Sequence, residues 1–267
     1  MGLQPVINPR EKILLFGMEG TGKSNAILNC ARYIEEQFHV YDSDYSFSRL
    51  LATDYVDVAE KGNVDVFDPA VDGDPDDPWG TMKGWVARMR EEAGTDDWVA
   101  IDSLTPAWDD VQAWFTEQAF GADIADYFIQ VRKALADSGD DKKGNPLGAF
   151  EGFKDWPSIN KEYARRLSNV LLRMPCHLIV TCEQSQLGKE DQKDLDMMGM
   201  YGQLGVKPKG QKRNGHIMST VIWMQKARTG VYRMTTVKDR GRAEMSKMTF
   251  EDFAMEYLVE IAGWEDR

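Results

Sequence analysis

The chain has 267 residues, 42% of them hydrophobic and 28% charged, with a formal net charge of −12. That balance describes an ordinary globular chain with room for one large α/β domain or two small ones. It excludes a membrane-spanning chain, since no apolar run approaches the roughly 18 residues a span needs, and the acidic total argues against a surface coated with nucleic acid.

The opening Met1-Gly2-Leu3-Gln4-Pro5-Val6 lacks the apolar core of a signal peptide and the Ser or Thr of a myristoylation motif, so a cytoplasmic location is expected. The first strand candidate is Lys12–Phe16. It runs into Gly17-Met18-Glu19-Gly20-Thr21-Gly22-Lys23-Ser24, a full G-x-x-x-x-G-K-[S/T] phosphate loop, and a helix-like stretch follows from Ser24 to Glu36. Glycines let backbone N–H groups close around a phosphate, and the helix N-terminus adds a positive field. Lys23 is expected to reach the β- and γ-phosphates of a nucleoside triphosphate, and the Ser24 hydroxyl to ligate Mg²⁺.

Further strand candidates are His39–Asp42, Val64–Phe67 and Trp98–Asp102. Residues 68–77 between them hold five Asp in ten positions with two prolines, a solvated acidic loop without EF-hand spacing. Trp98-Val-Ala-Ile-Asp102 has the form of a Walker B segment, an apolar strand ending in an acid that would hold the Mg²⁺ shell. Helical patterns lie near 79–93, 104–119, 123–136 and 157–173. In the last, Tyr163, Leu167, Val170 and Met174 form one stripe read as core packing.

The strands His177–Cys182, Thr220–Gln225 and Val231–Val237 complete a mostly parallel sheet covered on both faces, the final pair being a hairpin that closes one edge. The tail 249–267 carries a helical stripe of Phe253, Tyr257 and Ile261, expected to pack on its own domain. Cys30, Cys176 and Cys182 show no C-x-x-C spacing and read as buried thiols, and His39, His177 and His216 make no metal-ligand spacing.

Two segments resist assignment. Residues 137–156 interleave Lys142, Lys143 and Lys154 with Phe150, Phe153 and Trp156. Residues 185–216 run thirty-two positions with little periodicity and carry Tyr201, Lys207, Lys209, Lys212 and Arg213. Loops this long in a compact domain are usually functional or disordered, and both are candidates for ordering by a ligand.

Taken in order, these pieces resemble the RecA-family recombinases over roughly residues 10–245. Val40-Tyr-Asp42-Ser-Asp44, with Phe47 and Arg49-Leu50 after it, resembles the family's turn after the first helix, where a glutamate polarises the attacking water. Asp44 stands at that position, one methylene shorter. Ile101-Asp102-Ser103 is similar to the family's Walker B with its trailing serine. Leu178–Gln184 resembles the strand ending in Asn-Gln, with Gln184 matching the γ-phosphate sensor and Glu183 departing from the asparagine. Lys207-Pro208-Lys209-Gly210, His216 and Ser219-Thr220 resemble the run closing the second DNA loop, and Lys238 and Arg240 the basic fingers that reach a neighbour's ATP.

The resemblance implies a RecA-like P-loop NTPase core of α/β class in a single domain, with a C-terminal antiparallel edge. It implies an ATPase using ATP and Mg²⁺, single-stranded DNA held by the loops at 137–156 and 185–216, and a homo-oligomer, ring or filament, with ATP between subunits. With only about eleven residues before the first strand, the linking N-terminal domain of classical recombinases is expected to be absent. Small phage-encoded annealing and recombination ATPases resemble the chain most. A hexameric helicase or packaging motor, a small-molecule or nucleotide kinase, and an ATP-gated interaction protein stand as alternatives.

Overall fold

The computed structural model describes residues 10–137, 155–227 and 231–261. Its centre is β1, Lys12–Gly17, every residue of which is buried. Alternate side chains of β1 serve two separate cores: Leu14 and Phe16 enter one apolar cluster, Ile13 and Leu15 the other. Helices on both faces therefore require a continuous apolar run, not an alternating one. In chain order follow α1 (Lys23–Tyr33), β2 (Phe38–Asp42), α2 (Phe47–Thr53), α3 (Val56–Lys61), β3 (Val64–Phe67), α4 (Pro78–Glu92), β4 (Trp98–Asp102), α5 (Thr105–Phe120) and α6 (Ile124–Asp137). The acidic stretch before α4 is spent on turns. Asp68 accepts from the Ala70 N–H, Asp74 from that of Asp76, and Asp77 caps α4 by accepting from Gly80 at 2.8 Å.

Past residue 154 come α7 (Asp155–Tyr163), a π-helical turn (Ala164–Ser168) and α8 (Asn169–Leu172). The wider turn shifts the helical phase by one position. Tyr163, Leu167 and Met174 are buried as the spacing predicts, but Leu171 takes the inward place and Val170 is only half covered. Leu171→Ala should therefore cost about 2–4 kcal/mol and Val170→Ala clearly less, read by urea unfolding. Equal losses would contradict the phase shift.

The strand β5, His177–Gln186, outlasts its sequence signal by four residues, and that extension recruits a partner. The segment 185–216 holds a 3₁₀ turn (Asp191–Lys193), α9 (Leu195–Tyr201), β6 (Val206–Pro208) and α10 (Asn214–Ile217), so it is built structure where the sequence offers no element. Antiparallel pairing sets Gln184 opposite Pro208 and Gln186 opposite Val206. Next come β7 (Thr220–Lys226) and β8 (Tyr232–Asp239), an antiparallel pair, then β9 (Thr249–Phe250), so β9 forms the edge the hairpin was expected to close.

The nine-stranded sheet runs β3–β2–β4–β5–β1–β7–β8–β9, with β6 branching from β5. The first six strands in that order are parallel and the antiparallel pairs of β7, β8 and β9 lie at one end, giving a mixed, mostly parallel α/β fold. One face is covered by α4, α5, α7 and α8, the other by α1 and the closing π-helical segment Phe253–Ile261. Phe253 and Tyr257 of that segment are buried, and the Tyr257 hydroxyl donates to Asp239 at 2.5 Å. No helix among the described residues is long and apolar enough to cross a membrane.

Candidate nucleotide site

Parallel strands point their carboxyl ends at one rim, where α/β sheets place ligands. Gly17 closes β1 there, facing Glu183 of β5 on one side and Met224 of β7 on the other. A Cβ on Gly17 would overlap the Met224 carbonyl, so only glycine lets the strands close this tightly. Gly22 turns the loop into α1 at φ +84°, the left-handed region that side chains avoid. Met18, Glu19 and Gly20 are exposed at the tip, whereas Thr21 is buried and its hydroxyl donates to the Met18 carbonyl at 2.8 Å. Lys23 lies beneath the tip, and its ammonium donates to the carbonyls of Gly17 (3.3 Å) and Met18 (3.0 Å).

Ser24 and Asp102 meet. The Ser24 hydroxyl donates to Asp102 Oδ2 at 2.5 Å, and the Thr181 hydroxyl donates to the other oxygen. The Asp102 carboxylate is fully buried with two hydroxyls as its donors. A carboxylate and a hydroxyl side by side at a strand end are hard oxygen donors of the kind Mg²⁺ takes, so the residues present fit that ion.

The turn after β2 is clasped to the end of β4. Ser43 donates from its N–H to the Asp102 carbonyl at 2.6 Å, and its Oγ accepts from the Ser103 N–H at 2.7 Å. The peptide bond Asp102–Ser103 is cis. Asp42 caps α2, accepting from Ser46 (3.2 Å) and Phe47 (2.8 Å). Asp44 faces the same cleft. Crowding of the cleft, then the charges of Asp102, Asp42 and Glu183 acting against Lys23, push its pKa up to about 6. Asp44 is exposed, and solvent screens the charges around it.

The remaining sequence candidates fall into three groups. Gln184 is on the site's rim, its Oε1 accepting from the Trp223 indole at 3.0 Å. Lys238 and Arg240 turn inward to their own chain: Lys238 donates to the carbonyls of Gly215 (2.7 Å) and His216 (3.1 Å), Arg240 to that of His216 (2.8 Å). Burial and the neighbouring Arg240 lower the Lys238 ammonium to about 8.

Of the loop cations, Lys207 sits at 2.7 Å and Lys212 at 3.5 Å from the buried Asp191 carboxylate, Lys209 pairs with Glu183 at 2.6 Å, and Arg213 is exposed. Tyr201, expected as a base-stacking residue, is instead core: it is 1% exposed and meets Phe16 edge-on at 5.9 Å. Lys142, Lys143 and Lys154, with Phe150 and Phe153, lie outside the described residues. Trp156 stacks on Trp108 at 6.4 Å.

Ser43 and Thr181 were not foreseen from the sequence. The one available signal was Thr181, a hydroxyl inside the otherwise apolar run Leu178–Cys182.

No protein-family model matches the chain, and no curated protein matches its sequence. Among solved structures, the chain is similar to the crystal structure of the RadB recombinase, with a TM-score of 0.53 and 13% identity over 91% of this chain and 87% of that one. At that identity the likeness is one of fold.

Proposed function

We propose that the chain is a Mg²⁺-dependent ATPase of the RecA type, a single ATPase domain that binds single-stranded DNA and assembles with ATP between subunits. The observation that carries the reading is the meeting of Ser24 with Asp102 at 2.5 Å beside a buried Lys23, at the carboxyl rim of a RecA-like sheet. The loop Gly17–Ser24 cradles the phosphates, and Lys23 exchanges its two carbonyl acceptors for β- and γ-phosphate oxygens. Ser24 and Asp102 would hold Mg²⁺, which would supply positive charge against the phosphates. Asp44 orients water on the open side of the cleft.

Gln184 stands where a γ-phosphate is felt, and β5 continues from it into the ladder with β6. That ladder is a rigid path to the cations at 207–213, which take DNA phosphates once their present partners release them. Lys238 and Arg240 complete a neighbour's site after leaving the carbonyls of residues 215 and 216. The acidic net charge is no obstacle, because a few phosphate contacts suffice and their effect is local. Small phage annealing ATPases are the subtype we favour.

The test is steady-state ATP hydrolysis with and without a long unstructured single strand, with duplex DNA as control. Several-fold or greater stimulation by the single strand is expected. Absence of both stimulation and DNA binding, measured with a non-hydrolysable ATP analogue present, would replace this reading with a kinase or a protein switch.

A further inference from the structure

The end of β5 carries a carboxylate that the phosphate site leaves unused. Glu183 is the direct register partner of Gly17, the first residue of the phosphate loop. Asp44 follows β2, which is separated from β1 by both β4 and β5. The Glu183 backbone therefore starts beside the loop, with no strand between them. Its side chain is also one methylene longer, and β2 and β5 run parallel, so both residues lie at the same carboxyl rim.

Glu183 is held twice by one residue. Its Oε2 accepts from the Lys209 ammonium at 2.6 Å, and its carbonyl accepts from the Lys209 N–H at 2.7 Å. The β5–β6 ladder sets this opposition, with Gln184 and Pro208 paired one step along. Both side chains of the pair are about half exposed, 50% for Lys209 and 49% for Glu183, whereas the Asp191 carboxylate that holds Lys207 is 6% exposed. An exposed pair of long side chains holds weakly and exchanges readily for another anion, while a buried one does not. A phosphate can thus capture Lys209 at less cost than Lys207.

We propose that Glu183 is the base for ATP hydrolysis and that Lys209 is its lock, opened when a DNA phosphate takes the ammonium. The inference rests on the ATPase reading above. In the step itself, the water oxygen bonds to the γ-phosphorus as the bond to the bridging oxygen breaks. The bonding pair leaves on ADP, and the water proton passes to the Glu183 carboxylate and then to solvent. While Lys209 occupies Oε2, that carboxylate is a poor acceptor. Removing the lock and supplying DNA are two routes to the same free base, and by linkage whatever frees Glu183 also frees Lys209 for DNA.

The experiment compares the full chain with Glu183→Gln, Asp44→Asn and Lys209→Met, measuring turnover with and without oligothymidine, affinity for a fluorescent ATP analogue, and oligothymidine affinity against salt. Lys209→Met should raise DNA-free turnover about two- to fivefold and lower the salt slope by about one contact. Glu183→Gln should cut DNA-stimulated turnover on the order of 100-fold, more than Asp44→Asn does. It should also keep ATP affinity and bind oligothymidine more tightly, since Lys209 is released. A larger loss in Asp44→Asn than in Glu183→Gln overturns the base. Unchanged DNA-free turnover in Lys209→Met overturns the lock. If the wild-type chain hydrolyses ATP without responding to DNA, the DNA reading fails by itself, and the Lys209→Met rate still decides the lock.

Discussion

Lys23→Ala should abolish useful ATP binding while leaving the fold intact. Hydrogen bonds to charged groups contribute about 1.5–3 kcal/mol each, and Lys23 is placed to make them to two phosphates, so affinity should fall on the order of 100-fold or more. The fold should not notice, because the present acceptors of Lys23 are two carbonyls of its own loop, at 3.0 and 3.3 Å. Two measurements separate the effects. Equilibrium titration with a fluorescent ATP analogue reads affinity, and thermal unfolding reads stability. Without nucleotide the variant should melt with the wild-type chain, and the upward shift that ATP gives the wild type should vanish. A variant retaining native ATP affinity would remove the phosphate loop from the mechanism.

The largest loss of stability should come from Arg242→Ala, far from that loop. Arg242 donates to both oxygens of Glu11 (3.2 and 2.9 Å), to Asp239 at 3.0 Å and to the Tyr257 hydroxyl at 3.2 Å. Glu11 is 5% and Asp239 8% exposed, so losing the guanidinium leaves two buried carboxylates without their cation. Breaking a buried network by removing one partner costs about 3–5 kcal/mol, which for a domain of this size lowers Tm by roughly 10 °C. Lys193→Ala, which removes an exposed partner of Glu190, should stay within about 0.5 kcal/mol. Similar Tm losses for the two variants would refute the role given to the Arg242 network.

The central strands β1, β4 and the first part of β5 were legible as apolar runs because helices cover both faces and leave no polar alternation to confuse the pattern. The strands β6 and β9 were not. They have three and two residues, and each is a strand only because a distant neighbour offers it a ladder. The π-helical turn at Ala164–Ser168 moved one inward position from Val170 to Leu171, a shift that a spacing of 3.6 cannot foresee.

The phosphate loop was readable because its chemistry is packed into eight consecutive residues. The clasp around Asp102 was not, since Ser43 and Thr181 reach it from opposite directions along the chain. The same holds for the loop cations. Lys207, Lys209 and Lys212 read as a basic cluster until the fold sets Asp191 and Glu183 against them.

The position of β1 also governs when this protein can first work during its own synthesis. Its two flanking strands come from residues 177–186 and 220–226, and the Ser219 hydroxyl that donates to the Lys12 carbonyl lies 207 positions downstream. The phosphate loop leaves the ribosome early, but the strand beneath it stays unpaired on both sides until most of the chain has followed. Such long-range pairing folds slowly and exposes sticky edges meanwhile. A nascent chain stalled before residue 220 therefore carries every residue of Gly17–Ser24 on a strand still open along its β7 side. Nucleotide capture waits for β7 to emerge.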